Sequence, residues 1–191
     1  IRALPKKPFS FEDFLDCGAK IKVQITIVDD TATIDFSGTS TTLDNNLNAN
    51  RAIVLSAIIY VFRLMIGKDI PLNQGILQPI NLILPECFLN PLPSDDHGQS
   101  PAVVGGNVET SQRIVDVLMG AFGIAAASQG TSNNVIFGDE SFGYYETICG
   151  GSGASANQDG ADAVQVHITN TRITDPEISE TRYPVILDEF K

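Results

Sequence analysis

Four side chains carry acid, base or amide chemistry at places where a fold can aim it: Glu109, Glu146, His167 and Asn170. Each sits beside a loop of small residues or at the end of a predicted strand, where groups are held firmly yet stay reachable. A carboxylate and an imidazole together can give and take a proton near neutrality, and a carboxamide can orient a polar substrate. A second set, Asn73, Asn107, Gln129, Asn133 and Asn134, offers further amide donors and acceptors for substrate binding. Most have a structural reading beside the functional one. Glu109 complements the positive end of a helix dipole, Asn107 caps the same helix, and a histidine such as His167 is also found in cores, satisfied by a carbonyl. No Cys-x-x-Cys pair or Cys/His cluster occurs, so no metal ligand is assigned.

The elements that must position these groups follow from periodicity. Val108, Ser111, Val115, Leu118 and Phe122 recur at spacings of three and four, which predicts a helix over 108–122 with Asn107 as its cap, Glu109 and Thr110 in its first turn and Gly123 at its end. Gly105 and Gly106 before it permit close approach of a ligand or a second strand. The helix exits into 128–134, SQGTSNN, where six hydroxyl or amide side chains either meet a polar substrate or tie their own loop.

Upstream, 9–16 reads as a short helix capped by Ser10, and 20–28 and 31–36 alternate apolar and polar residues as a hairpin turning at Asp29-Asp30. The asparagine-rich 43–50 suits turns and caps, and 51–66, nearly all apolar, predicts a helix buried on most sides and ended by Gly67. A loop over 69–75 carries Asn73 at its tip, a strand covers 76–84, and 85–100 is an exposed loop with His97 solvated.

Downstream, short strands are expected at 135–137 and 144–148, then a tight turn or close packing in CGGSGASA over 149–156. That glycine run has no following lysine and no G-x-x-x-x-G-K-[ST] pattern, so a phosphate loop is not indicated. A strand over 163–168 would carry His167 near its end, followed by a helical turn over 177–180 and a last strand over 183–187. These elements describe an α+β fold, a mixed β-sheet with an N-terminal β-hairpin packed by two main helices at about 51–66 and 108–122.

The chain has 12 lysines and arginines against 23 aspartates and glutamates, a net charge of -11, which argues against nucleic-acid or anionic-membrane partners. At 191 residues and 43% hydrophobic content it fits one domain with a substantial core, or two small ones, and is read as a single domain. The scattered Cys17, Cys87 and Cys149 and the lack of an apolar leader predict a soluble, cytoplasmic protein. The opening IRALPKK and the end at Lys191, directly after an apparent strand, suggest a fragment of a longer subunit.

Seven segments, in order along the chain, carry a family resemblance: IDFSGTS at Ile34, NNLNANRA at Asn45, DIPLNQGILQPI at Asp69, VVGGNVETSQRIVD at Val103, AASQGTSNN at Ala126, YYETICGGSGA at Tyr144 and HITNTRITDPEISETRYPV at His167. Together they resemble the hydantoinase B/oxoprolinase family, the B-type subunit or half of N-methylhydantoinases and ATP-dependent 5-oxoprolinases, related to acetone and acetophenone carboxylase subunits. Cys149 and Cys87 stand where the family more often has glycine, and Ile168 where it has methionine.

The resemblance implies ATP-assisted opening of a cyclic amide such as 5-oxoproline or a hydantoin, in which phosphorylation of the amide oxygen makes the ring carbonyl electrophilic. It places ATP and Mg in an A-type companion subunit, with no cofactor bound by this chain, a possible metal in the upstream part, and a hetero-oligomer as the working form. Within that reading His167 moves a proton to the ring nitrogen or from the attacking water, and Asn170 orients the amide. A structural assembly domain of the same complex is the competing class, and an acetone-type carboxylase the competing enzyme.

Overall fold

Alternation of apolar and polar residues builds the first sheet, because in a strand it sends every second side chain to the same face. In β2 (Lys20–Val28) the residues Ile21, Val23, Ile25 and Ile27 all point inward and are buried. Antiparallel β3 (Thr31–Asp35) follows across a two-residue turn whose Asp29 takes the left-handed φ of 51° that such turns require. The computed structural model describes residues 1–189, and of His97 the backbone alone.

The segment expected as a helix over 9–16 is instead a strand, β1 (Phe9–Phe14), paired antiparallel to β2 from Phe9 opposite Ile25 to Phe14 opposite Lys20. Its acid-rich sequence suits a helix start, but the free edge of β2 supplies backbone partners along the whole run, and tertiary pairing overrides local preference. The Phe9 ring then meets Phe122 edge-on at 5.2 Å. Ser10 therefore caps nothing.

The helix α1 (Arg51–Ile66) begins where Asn50 accepts hydrogen bonds from the amides of Ala52 and Ile53 at 3.0 and 3.2 Å, and ends at Gly67 with φ 59°. Asn50→Ala is expected to cost about 1 kcal/mol of stability in a urea titration, the usual loss for a helix cap. Contrary to expectation, α1 is not buried on most sides. Val54, Ala57, Ile58, Val61 and Phe62 are buried, while Leu64 and Ile66 stand in the open.

The strand expected over 76–84 is shorter. A 3-10 turn over Gln74–Leu77 comes first, Pro79 has no amide hydrogen to give a ladder, and β4 (Ile80–Ile83) then joins β3 in parallel. The sheet order is β1-β2-β3-β4. In the loop that follows, Cys87, Phe88 and Leu89 turn inward to the core, with the Phe88 carbonyl accepting from the Ala49 amide at 2.7 Å. The solvated reading of the His97 side chain lies outside the described residues.

Helix α2 (Glu109–Phe122) packs on β1 and β2 and also against α1. Asn107 is not its cap. It belongs to a 3-10 turn, Gly105–Asn107, and Val108 occupies the cap position without a side-chain bond. The close approach expected at the glycine pair is present, because a Cβ on Gly106 would fall 2.1 Å from the Asn48 carbonyl oxygen. The buried face differs from the predicted stripe, of which Val115 and Leu118 are buried while Val108, Ser111 and Phe122 are only partly so. It takes in Thr110, Gln112, Ile114, Val115, Asp116, Val117 and Leu118, and Gly123 closes the helix with φ 68°.

Two small sheets complete the α+β architecture: the hairpin β5 (Asn133–Gly138) with β6 (Gly143–Ile148), and the short ladder β7 (Gly151–Ser152) with β8 (Ala161–Asp162). The strand expected over 163–168 does not form. Ala163 and His167 both have φ 55°, and Thr169 hydrogen-bonds Val166 with its hydroxyl, so the chain turns. The helical turn at 177–180 extends to α3 (Pro176–Arg182), capped by Asp175. No strand follows over 183–187; there Tyr183 packs with Phe137, Phe142 and Tyr144, and Ile186 faces solvent. Among the described residues, no helix is long and apolar enough to cross a membrane.

Candidate functional site

Three elements converge on His167. Helix α1 brings Tyr60, whose hydroxyl lies 3.1 Å from Nδ1, and the two rings meet edge-on at 5.5 Å. Helix α2 brings Asp116, whose Oδ1 lies 3.6 Å from Nε2, an ion-pair distance once the imidazole is protonated and longer than a hydrogen bond. The loop leaving α2 brings Ser128, whose amide donates to the same Asp116 Oδ1 at 3.1 Å. The imidazole is 10% exposed and the carboxylate 2%, so the pair sits in a poorly hydrated place where charge interactions are strong.

His167 itself occupies the left-handed region, a conformation that costs a non-glycine residue free energy and clusters at functional sites. Two buried polar atoms here have no partner, Asp116 Oδ2 and the Ser128 hydroxyl. Burial pushes the Tyr60 phenol above its ordinary range, and contact with His167 offsets part of that, so Tyr60 is a hydroxyl donor at neutral pH.

A cavity of about 530 Å³ opens beside this line, with Tyr60, Ser128, Gln165, His167, Thr169 and Asn170 on its wall. A second, of about 290 Å³, lies against His167 and Tyr60 and includes Asn107 and Gln112. Tyr60 also borders a third, of about 570 Å³, with Arg63 and Asn73.

Of the residues singled out from sequence, His167 and Asn170 share the first cavity and Asn107 lines the adjoining one. Asn73 lies on the third, with its side chain engaged by the Gly75 amide at 2.8 Å. The others line none of these three. Glu109 accepts from the Thr131 hydroxyl at 2.9 Å, and Gln129 bonds the Thr131 carbonyl and the Gly150 amide, so both tie the exit loop.

Glu146 accepts from the Tyr144 hydroxyl and the Thr174 amide. Burial alone would raise its carboxyl, but these hydrogen bonds outweigh burial and hold it below the usual range. It is thus an ionised acceptor near neutrality and a poor acid. Asn133 and Asn134 are exposed on β5, where Asn134 accepts from Thr147 at 2.9 Å.

Asp116 and Tyr60 escaped the sequence reading because each is embedded in an apolar run, IVDVLM and AIIYVF. A lone carboxylate on the buried face of an amphipathic helix was the available signal, since such a group needs a partner.

The glycine run after β6 is consumed by packing. A Cβ on Gly153 would fall 2.1 Å from the Ala126 carbonyl oxygen and one on Gly150 2.4 Å from the Gln129 side chain, and the Gly150 amide donates to Gln129. Among the described residues, no three His, Cys, Asp or Glu gather to hold a metal ion.

A buried imidazole thus lies between a carboxylate and a phenol, beside a cavity lined by Gln165 and Asn170, on an α+β scaffold. The chain belongs to the hydantoinase B/oxoprolinase family, whose model matches residues 1–191. It is 52% identical over 181 residues to a 5-oxoprolinase of Dictyostelium discoideum, covering 93% of this chain and 14% of that protein. The crystal structure of an ATP-dependent caprolactamase from Pseudomonas jessenii shares the fold, with a TM-score of 0.72 at 20% identity over 100% of this chain and 36% of that one. A nucleotide-free acetone carboxylase structure does so with a TM-score of 0.69 at 18% identity, over 95% of this chain and 28% of that one.

Proposed function

We propose that this chain supplies the proton-transfer site of an ATP-dependent hydrolase that opens a cyclic amide, a lactam such as 5-oxoproline or a hydantoin, within a hetero-oligomer that includes an A-type, ATP- and Mg-binding companion. The observation that carries it is the line Asp116, His167, Tyr60 on a cavity shared with Asn170. The sequence relationship to a 5-oxoprolinase supports the substrate class.

In this reading nucleotide chemistry stays with the companion, as the family resemblance implies. The metal, if one is used, belongs to the upstream part of the subunit. This chain's residues move a proton. Nδ1 is engaged by the Tyr60 hydroxyl and Nε2 faces the Asp116 carboxylate, so Tyr60 stands between the imidazole and the substrate. As water attacks the ring carbonyl, its proton passes to Tyr60 Oη while the phenol's own proton moves to His167 Nδ1. The imidazolium that forms faces the Asp116 carboxylate, which stabilises it. Reversal of the relay delivers the proton to the ring nitrogen as the C–N bond breaks. Asn170 orients the amide at the rim.

The full-length protein with its companion is expected to open 5-oxoproline or a hydantoin only when ATP and Mg are present, followed by release of the ring-opened acid. The 191-residue chain alone is expected to open neither. An assembled complex that hydrolyses ATP yet opens no ring would rule the reading out in favour of an assembly role.

A further inference from the structure

The loop that leaves α2 turns back along the helix and is tied to it by side chains of three residues. The Ser128 amide donates to Asp116 Oδ1 at 3.1 Å, Gln112 Nε2 donates to the Thr131 carbonyl at 3.3 Å, and the Thr131 hydroxyl donates to Glu109 at 2.9 Å. Glu109, Gln112 and Asp116 follow one another at spacings of three and four, so they share one face of α2, and the loop meets them in reverse order. Gln112 is 1% exposed, and the Thr131 carbonyl supplies the partner that a buried amide requires.

The tie at Asp116 bears directly on the imidazole. The carboxylate is 2% exposed, its Oδ2 has no partner, and its Oδ1 accepts from the Ser128 amide. A buried carboxylate whose charge is met by an amide gains less from a protonated neighbour than one left without a donor. The 3.6 Å gap to His167 Nε2 is accordingly wider than a hydrogen bond. Other charges around the pair are matched or absent. Asp13 of β1 borders the same cavity as Asp116 but is paired with Arg113 at 2.6 Å, and on the walls of the two cavities against His167 the other titratable side chain is Tyr60.

We propose that Gln112, acting with Thr131 and Glu109, is a positioning residue that holds the exit loop so that the Ser128 amide shares the Asp116 charge and the carboxylate does not trap the proton His167 passes on. The fate of that proton rests on the proposed function; the clamp on the Asp116–His167 pair does not. When the loop is released the Ser128 amide leaves, and the imidazolium becomes the nearest donor to a buried carboxylate. His167 then keeps its proton to higher pH. Ring opening that starts from the neutral imidazole should therefore set in at higher pH, with its alkaline plateau little changed.

Deuterium exchange at the imidazole carbon between the two nitrogens, read by mass spectrometry across pH, follows the titration of His167 in the full-length protein with its companion and needs no turnover. Gln112→Met keeps the side-chain length and leaves the Thr131 carbonyl bonded to Gln129 at 2.6 Å, and Thr131→Val removes the tie to Glu109. The double variant is expected to raise the His167 midpoint by roughly one pH unit, the scale of one hydrogen bond to a charged group, and to move the acid limb of ring opening up by the same amount. Thr131→Ser in place of Thr131→Val restores the hydroxyl and should bring the shift down to the smaller one of Gln112→Met alone. An unchanged or lowered midpoint in the double variant, or a rate lost equally at every pH, would overturn the clamp and leave Gln112 as a packing residue. Should circular dichroism show the double variant unfolded, Gln112→Met alone decides on the same terms. A raised midpoint in a protein that opens no ring would support the clamp and remove the hydrolase reading, whereas ring opening with an unmoved midpoint would do the reverse.

Discussion

Replacing His167 with asparagine is expected to lower ATP-dependent ring opening by roughly a hundredfold or more, the usual scale of a lost acid/base group. Asparagine is the informative substitute for two reasons. His167 sits at φ 55°, a region that asparagine tolerates better than most residues, so the backbone turn survives the change. Its amide also retains a polar atom toward Tyr60, so the loss measured is of proton uptake rather than of packing. The assay is turnover of 5-oxoproline or a hydantoin by the full-length protein with its companion, with circular dichroism to confirm folding. Tyr60→Phe, which keeps the ring and removes the hydroxyl, should fall by a similar factor if the relay runs through the phenol. Near-normal turnover in the His167 variant, or loss through unfolding, would return His167 to the role of a core histidine held by Tyr60 and Asp116.

What the sequence disclosed and what it hid divide along the range of the interactions. The β2–β3 hairpin was legible because period-two burial and a two-residue aspartate turn are both local. The ends of α1 and α2 were legible for the same reason, since Asn50, Gly67 and Gly123 act on neighbours within a turn. Strand β1 was hidden because its partner edge lies on β2, and nothing within FSFEDF announces it. Asn107 reads as a cap by residue type, yet the 3-10 turn before α2 consumes it.

The site was half legible. His167 and Asn170 stood out as chemistry at the end of a predicted strand, but the left-handed turn at Ala163 and His167 that aims the imidazole inward is not written in those residue types. Asp116 and Tyr60 come from helices 44 residues or more from His167 in sequence, and the pairing exists only after α1 and α2 pack. Glu109 and Gln129 were marked by the same polarity that they use to hold their own loop.

That packing predicts the second large effect. Leu118 lies on the face of α2 that covers β1 and β2, is 0% exposed, and shares its core with the β2 and β3 side chains and with Val54, Ile58 and Val61 of α1. Truncation to alanine removes buried methyl and methylene groups and leaves a void that helix-on-sheet packing can only partly close. Leu118→Ala is therefore expected to cost about 2–5 kcal/mol in urea unfolding of the 191-residue chain, with a Tm lower by roughly 5–15 °C. Leu64→Ala is the matched control, because Leu64 is 48% exposed on α1 and buries little on folding. It should lie within about 1 kcal/mol of the parent. The two helices also carry Asp116 and Tyr60, so a loosened core should widen the gap between them and reduce ring opening in the assembled enzyme beyond the loss of folded protein. Equal midpoints for Leu118→Ala and Leu64→Ala would show that α2 is not the element joining sheet to helix, and the positioning of Asp116 would need another explanation.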